Sequence, residues 1–268
     1  MNNFTKRIII AVIAAPLILY SPFAGMNFFT AFIFLISFIG SKEIISFYRS
    51  RHLILNPIMP YLASITPFIF LVYGFESAAL YGVSLSLVLF VIEVFRSREK
   101  ASYIASAYVF IFVYCGLFPS MLIGVVADFG PWIFIFIYSV IIATDSFAYF
   151  GGILCGKLFR THKLLKKISP NKTIEGAFSG LLFAVITGWF VASNTILRDL
   201  LFGYRPFALA AIISICGQIG DLFESMLKRD FKIKDSSNII PGHGGILDRF
   251  DSLIFVSPAV YIYLIYFI

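Results

Sequence analysis

What most constrains the fold of this chain is a succession of apolar runs, each too long for the core of a soluble domain. They fall at about 8–20, 27–39, 57–75, 79–95, 101–126, 132–150, 174–192, 207–224 and 252–268. A straight helical span needs roughly 17–25 apolar residues, and within lipid it must satisfy its own backbone hydrogen bonds. The expectation is an all-α, polytopic integral membrane helical bundle of about nine transmembrane helices. The first run is short and is broken from the second by Ser21-Pro22, so it is read as a short or re-entrant segment. Pro16 and the bulky Leu17 to Tyr20 leave no small-residue cleavage site, so that run is expected to stay. No repeat of 20–50 residues is visible. Residues 1–268 are therefore read as a single membrane domain, with spans in 1–140 as scaffold and 141–268 carrying the site.

Charge sets the orientation. Only 13% of residues are charged, against 60% hydrophobic, and the net charge is +7. The basic residues gather in alternate loops: Lys6 and Arg7; Lys42, Arg49 and Arg51; Arg96, Arg98 and Lys100; Lys157, Arg160, Lys163, Lys166, Lys167 and Lys172; Lys228, Arg229, Lys232 and Lys234. The loops around 21–26, 74–78 and 127–131 carry neither Lys nor Arg, and 193–206 carries only Arg198 and Arg205. Cytoplasmic loops are the basic ones, so the N-terminus is placed in the cytoplasm and the C-terminus outside. The same placement gives the positive charge to topology and to anionic lipid of the bilayer, and no nucleic acid partner is expected. Cys115, Cys155 and Cys216 sit in apolar segments without CxxC spacing and read as small core residues.

Against this apolar background, Ser225 to Asp251 is dense with charge: Lys228, Arg229, Asp230, Lys232, Lys234, Asp235, Asp248, Arg249 and Asp251. Its Pro241-Gly242-His243-Gly244-Gly245 core cannot continue a helix and predicts a tight, backbone-exposing loop. Asp248 and Asp251, three apart, face the same way if a helix resumes. Carboxylates beside cations and glycine-rich backbone suit a metal ion bridging phosphates, and oxygen ligands point to magnesium or a similar hard ion more than to zinc. His243 reads best as a phosphate hydrogen-bonding group, whereas His52 and His162 are loop residues without metal-ligand spacing.

Other polar residues fall inside or at the ends of spans, where a carboxylate is costly and therefore a functional candidate. Asp145 shares a helix face with Tyr149, and Ala148, Gly152 and Gly156 form a small-residue stripe suited to close helix packing. Gly151 to Leu158 nearly spells a P-loop, but Leu158 stands where the magnesium-binding hydroxyl belongs, and an apolar helix precedes it instead of a strand. Lys157 is read either as a phosphate contact or as a snorkelling cation. In Ser169 to Gly176, Thr173, Glu175 and Gly176 carry helix-start chemistry, and Lys172 is placed to face an anion. Lys163, Lys166 and Lys167 read as a lipid-facing basic surface. Gln218, Asp221, Glu224 and Ser225 form a polar stripe at the cytoplasmic end of their span. Glu93 is expected to pair with Arg96, while Glu43 and Glu76 read as interfacial. Asp145, Asp221, Glu224, Asp248 and Asp251 are expected to meet in one polar cavity near the cytoplasmic interface.

At this point the chain resembles the phosphatidate cytidylyltransferases, the CDP-diacylglycerol synthases. Their signature is matched without a gap by Ser225, Leu227, Lys228, Arg229, Lys234, Asp235, Ser237, Ile240, Pro241, His243, Gly244, Gly245, Ile246, Asp248, Arg249 and Asp251. Asp145, Ala148, Tyr149, Gly152, Gly156 and Lys157 resemble a second block, and Ser169, Pro170, Lys172, Thr173, Glu175 and Gly176 a third. Asn171 and Ile174 stand where the family usually has Lys and Trp. The likeness covers about 145–251. It implies a magnesium-dependent transfer from CTP to phosphatidate in the membrane leaflet, giving CDP-diacylglycerol and pyrophosphate for phospholipid biosynthesis. It places the protein in a bacterial-type cytoplasmic membrane, with its site facing the cytoplasm. The implied site residues are Asp221, Asp248, Lys172 and Asp145 as catalytic. Asp221 and Asp248 hold metal, with Asp145 and Asp251 in or near that shell. Lys172, Lys228, Arg229, Arg249, His243, Gly244, Gly245 and Ser225 take substrate. A homodimer is left open.

Two other classes share part of this pattern. A related membrane transferase or lipid kinase would use another lipid with the same anion chemistry. An ion-coupled transporter predicts charges near span midpoints and repeat symmetry, and neither is evident.

Overall fold

The computed structural model describes residues 12, 14–96, 99–158, 161–240 and 244–268. The element order is α1 (Met26–Ser50), α2 (Met59–Ser64), α3 (Thr66–Arg96), α4 (Ala101–Ile111), a π-helical turn (Phe112–Leu117) and α5 (Phe118–Phe129). There follow α6 (Pro131–Leu158), β1 (Lys163–Leu165), β2 (Ser169–Thr173), α7 (Ile174–Ser193), a 3-10 turn (Ile196–Arg198), α8 (Arg205–Phe231) and α9 (Leu247–Phe267). The protein is thus an all-α polytopic membrane protein with one short hairpin.

Among the described residues, seven helices are long and apolar enough to cross a membrane, not nine. Of the 8–20 run, 8–11 and 13 lie outside the described residues, as do Lys6, Arg7, Arg98 and Arg160, and 14–20 are helical. The runs at 57–75 and 79–95 belong to α2 and α3, and α3 is continuous except at Gly74, whose φ of 78° is left-handed. The chain folds back there. Nineteen residues of straight helix would span about 28 Å, yet the Tyr81 hydroxyl donates to the Leu62 carbonyl at 2.9 Å. Only glycine adopts such a φ without a steric cost.

By its contacts the chain divides into two compact units, Met1–Gly124 with Phe231–Phe250 and Val125–Asp230 with Asp251–Ile268. In the first, α1 packs through aromatic rings: Phe34 against Phe68 at 5.5 Å and Phe38 against Tyr61 at 5.0 Å between centroids. The expected Glu93–Arg96 pair is present at 3.4 Å. A second partner was not foreseen. The buried Tyr108 hydroxyl donates to Glu93 Oε1 at 3.1 Å and accepts from the Asn56 backbone N–H at 3.1 Å, tying three segments together.

The second unit is organised around α7, which is built inside out relative to a helix of a soluble protein. Its buried residues are Gly176, Gly180, Ala184, Gly188 and Ala192, each four from the next. Its bulky residues Phe178, Leu182, Ile186 and Phe190 are exposed. Lipid is as apolar as leucine, so helices gain little by hiding large side chains from it; they gain by close backbone approach along small-residue stripes. A Cβ at Gly176 would stand 2.6 Å from the Ala148 carbonyl oxygen and 3.4 Å from Gly152 Cα. The expected Ala148 and Gly152 stripe therefore does pack a helix, with α7 as its partner. α6 continues through Gly151 and Gly152 to Leu158 without a phosphate-binding loop, as the missing hydroxyl required.

Candidate active site

The 157–172 segment, expected to be loop, contains an antiparallel hairpin pairing Lys163 with Thr173 and Leu165 with Ser169. The hairpin delivers Lys172 to the start of α7. Thr173, in extended conformation, caps that helix by accepting from the Gly176 N–H at 3.1 Å, as its helix-start pattern predicts. Glu175 holds the other end of the hairpin, accepting from the His162 N–H at 3.0 Å and lying 2.8 Å from His162 Nδ1.

These elements frame a cavity of about 660 Å³ in the second unit, lined among others by Asp145, Tyr149, Lys163, Lys172, Gln218 and Asp221. Lys172 Nζ forms an ion pair with Asp221 Oδ2, and both side chains are partly open to solvent. Ser225 Oγ stands 3.5 Å from Asp221 Oδ1. Gln218 is braced by the Ala177 carbonyl and Ser214 Oγ, each at 3.3 Å. The charges of Asp221 and Lys172 both act on Asp145, and those of Asp221 and Asp145 act on the buried Asp251. Four of the residues singled out from sequence, Asp145, Lys172, Asp221 and Gln218, thus line one polar cavity. Lys163 joins them, where a lipid-facing surface was expected.

Two cations are held at the C-terminal end of α8. Lys228 pairs with the buried Glu224, and Arg229 Nε donates to the Ile168 carbonyl at 3.3 Å, which anchors the turn of the hairpin. Asp251 accepts from the Ser252 N–H at 2.7 Å.

In the first unit, the charged stretch closes on a carboxylate that sequence reading had set aside. Glu43 of α1 is buried, not interfacial. It accepts from Ser237 Oγ (2.5 Å) and the Ile246 N–H (2.9 Å) on Oε1, and from Ser236 Oγ (3.0 Å) and the Leu247 N–H (2.9 Å) on Oε2. Asp248 Oδ2 in turn accepts from the Ser236 N–H, Ser236 Oγ and the Gly245 N–H, at 2.9, 2.9 and 2.8 Å. Gly244 has φ 83°, and a side chain there would run into the Asp248 carboxylate, so its glycine is required twice over. Pro241, Gly242 and His243 lie outside the described residues. Arg249 lies in the first turn of α9, its N–H donating to the Ile246 carbonyl at 3.0 Å.

No three His, Cys, Asp or Glu side chains among the described residues form a group that could hold a metal ion. A magnesium site does not need such a cage, because one or two carboxylates suffice when substrate phosphates and water complete the octahedron. The all-oxygen set of Asp145 and Asp221 fits that chemistry.

A polytopic membrane protein in which carboxylates and an ion-paired lysine line one polar cavity fits the class of membrane enzymes that act on phosphates. A family profile described as "Cytidylyltransferase family" matches residues 5–267, and the chain belongs to that family. It is 33% identical over 283 aligned positions to a Bacillus subtilis protein named phosphatidate cytidylyltransferase, covering all of both chains. A Helicobacter pylori protein of the same name is 32% identical over 262 positions, 97% of this chain and 90% of that one. Another, from strain J99, is 41% identical over 161 positions, 59% of this chain and 56% of that protein.

Proposed function

We propose that this protein is a CTP:phosphatidate cytidylyltransferase, joining CTP and phosphatidate to give CDP-diacylglycerol and pyrophosphate. One observation carries the reading: Lys172, Asp221 and Asp145 line a single polar cavity in a membrane-spanning chain whose family transfers cytidylyl groups. In the reaction, an oxygen of the phosphatidate monoester attacks the α-phosphorus of CTP. The bond from that phosphorus to the bridging oxygen breaks, and pyrophosphate leaves with its electrons. A phosphate monoester has its second pKa near ~6, so the nucleophile is already largely dianionic at neutral pH and needs no strong base. The task is to bring two polyanions together and to offset charge as it builds on the leaving group.

Lys172 suits that task, since a phosphate entering the cavity replaces Asp221 as its partner. Asp221, so released, and Asp248 are the proposed magnesium ligands, with Asp145 and Asp251 in or near that shell. Magnesium, when bound, would offset charge on the α-phosphate and the departing pyrophosphate. Lys228, Arg229, Arg249, Ser225 and the loop at Gly244 and Gly245 are proposed to take substrate phosphates, the Gly245 N–H itself being given to Asp248. The site is placed on the cytoplasmic face of a bacterial-type cell membrane, because the basic clusters at 157–172 and 228–234 flank it in sequence. There CTP arrives from water and phosphatidate from the leaflet.

The test is purified protein in lipid with radiolabelled CTP, phosphatidate and magnesium. The expected products are chloroform-soluble cytidine nucleotide and an equal amount of pyrophosphate. Absence of lipid-linked nucleotide would overturn the reading, and a product formed only with a different lipid acceptor would reassign the substrate.

A further inference from the structure

We infer that Glu43, on the first described long helix, is a positioning residue for the transfer: it clamps both ends of the Ser236–Leu247 loop and thereby orients Asp248. The inference rests on the cytidylyltransferase reading above, because it takes Asp248 to be part of that machinery. An ionised carboxylate offers about four lone-pair sites. In Glu43 all four are faced, two per oxygen, by donors from the two ends of one loop, Ser236 and Ser237 on one side and the Ile246 and Leu247 amides on the other, the Ser236 proton being shared with Asp248. The acceptor is 2% exposed.

The coupling to Asp248 runs through one atom. Ser236 Oγ lies 3.0 Å from Glu43 Oε2 and 2.9 Å from Asp248 Oδ2. A hydroxyl has one proton, so it serves one carboxylate at a time, and the two acids share it. The Ser236 N–H donates to Asp248 while its hydroxyl reaches Glu43, so that residue cannot shift without moving both. Leu247, whose N–H is held by Glu43, directly precedes Asp248 in the first turn of α9. Its side chain packs at Gly40, where an added Cβ would stand 3.1 Å from Leu247 Cδ2. Gly40 and Glu43, three apart, form a seat on α1 for the start of α9.

No neutral isostere can replace this acceptor. In Glu43→Gln one oxygen becomes an NH₂, and in either amide orientation a donor then faces a backbone N–H and a serine hydroxyl. Glu43→Asp keeps the charge but is one methylene short of reaching both loop ends.

The experiment uses the full chain in lipid nanodiscs, comparing wild type, Glu43→Gln, Glu43→Asp and the exposed control Glu76→Gln. Three quantities are read: kcat with the KM for CTP, the magnesium concentration giving half-maximal rate, and hydrogen exchange at the Gly245 to Asp248 amides without substrate. Loss of an outer partner of a functional carboxylate lowers activity by about 10–100-fold. Glu43→Gln should lower kcat by that factor with little change in KM, raise the half-activating magnesium concentration, and expose the loop amides to faster exchange. Glu43→Asp should fall between it and wild type. A merely structural role predicts fewer active molecules, with kcat per folded molecule and the magnesium response unchanged, and that result overturns the proposal. So does wild-type exchange in Glu43→Gln. If Glu43→Gln does not fold, the same comparison on Glu43→Asp decides. If wild type makes no lipid-linked nucleotide, the functional reading fails, while exchange still reports whether Glu43 holds the loop.

Discussion

Lys172, delivered by a two-stranded hairpin, and Asp221, in the C-terminal half of a long helix, meet as an ion pair with 29% and 35% of their side chains exposed. A pair that open to water is worth only about 0–1 kcal/mol to folding. Its value lies in what each partner does when the other is displaced. Lys172→Met is expected to lower kcat/KM by about 100–1,000-fold, the scale of losing one charge-stabilising group at a reacting centre, while the unfolding midpoint barely moves. Because the two act as a unit, Lys172→Met combined with Asp221→Asn should be scarcely worse than the worse single variant. Initial rates over a CTP and phosphatidate grid, with thermal unfolding in parallel, check both statements.

Magnesium removal tests the metal ligands directly. Chelation should abolish turnover and added magnesium should restore it. Asp221→Asn and Asp248→Asn should each need more magnesium for half-maximal rate. Near-normal turnover by both variants at limiting magnesium would refute the metal assignment.

Gly176 is the sharpest packing prediction. Its missing Cβ lets the α7 backbone approach the Ala148 carbonyl, so Gly176→Val should push α6 and α7 apart at the cavity wall. Overpacking of this kind costs about 1–3 kcal/mol. A lowered unfolding temperature in detergent, together with reduced kcat, is the expected outcome.

Tyr108→Phe should destabilise without touching the chemistry. It removes a buried hydroxyl that donates to Glu93 and accepts from the Asn56 N–H. Losing such a partner costs about 1–3 kcal/mol. The unfolding midpoint should fall while kcat and both KM values per folded molecule stay at wild type.

Much of the site was legible because its residues break the local rule of their surroundings. Asp145 and Asp221 stand out in apolar helices, and Lys172 beside a helix start. The small residues from Gly176 to Ala192, one every four, carry the signal of the α7 packing face, although their neighbours are large and apolar. Glu43 gave no comparable sign. It follows Lys42 near the end of a span, the ordinary place for an interfacial charge, and its partners lie some 193 to 204 residues away.

Composition and periodicity alone determined that the chain is helical and membrane-spanning, since apolar runs of that length leave the backbone no other way to satisfy its hydrogen bonds in lipid. The same reading located the charged signature, because charge is costly there and persists only for a reason. Only the tertiary structure decided what each carboxylate contacts. Asp221 pairs with a lysine from the hairpin, Asp248 is drawn into its own loop, and Glu43 moves from the margin to the centre of that loop. Those assignments depend on which donors reach each oxygen within about 3 Å, a distance that spacing along the chain does not encode.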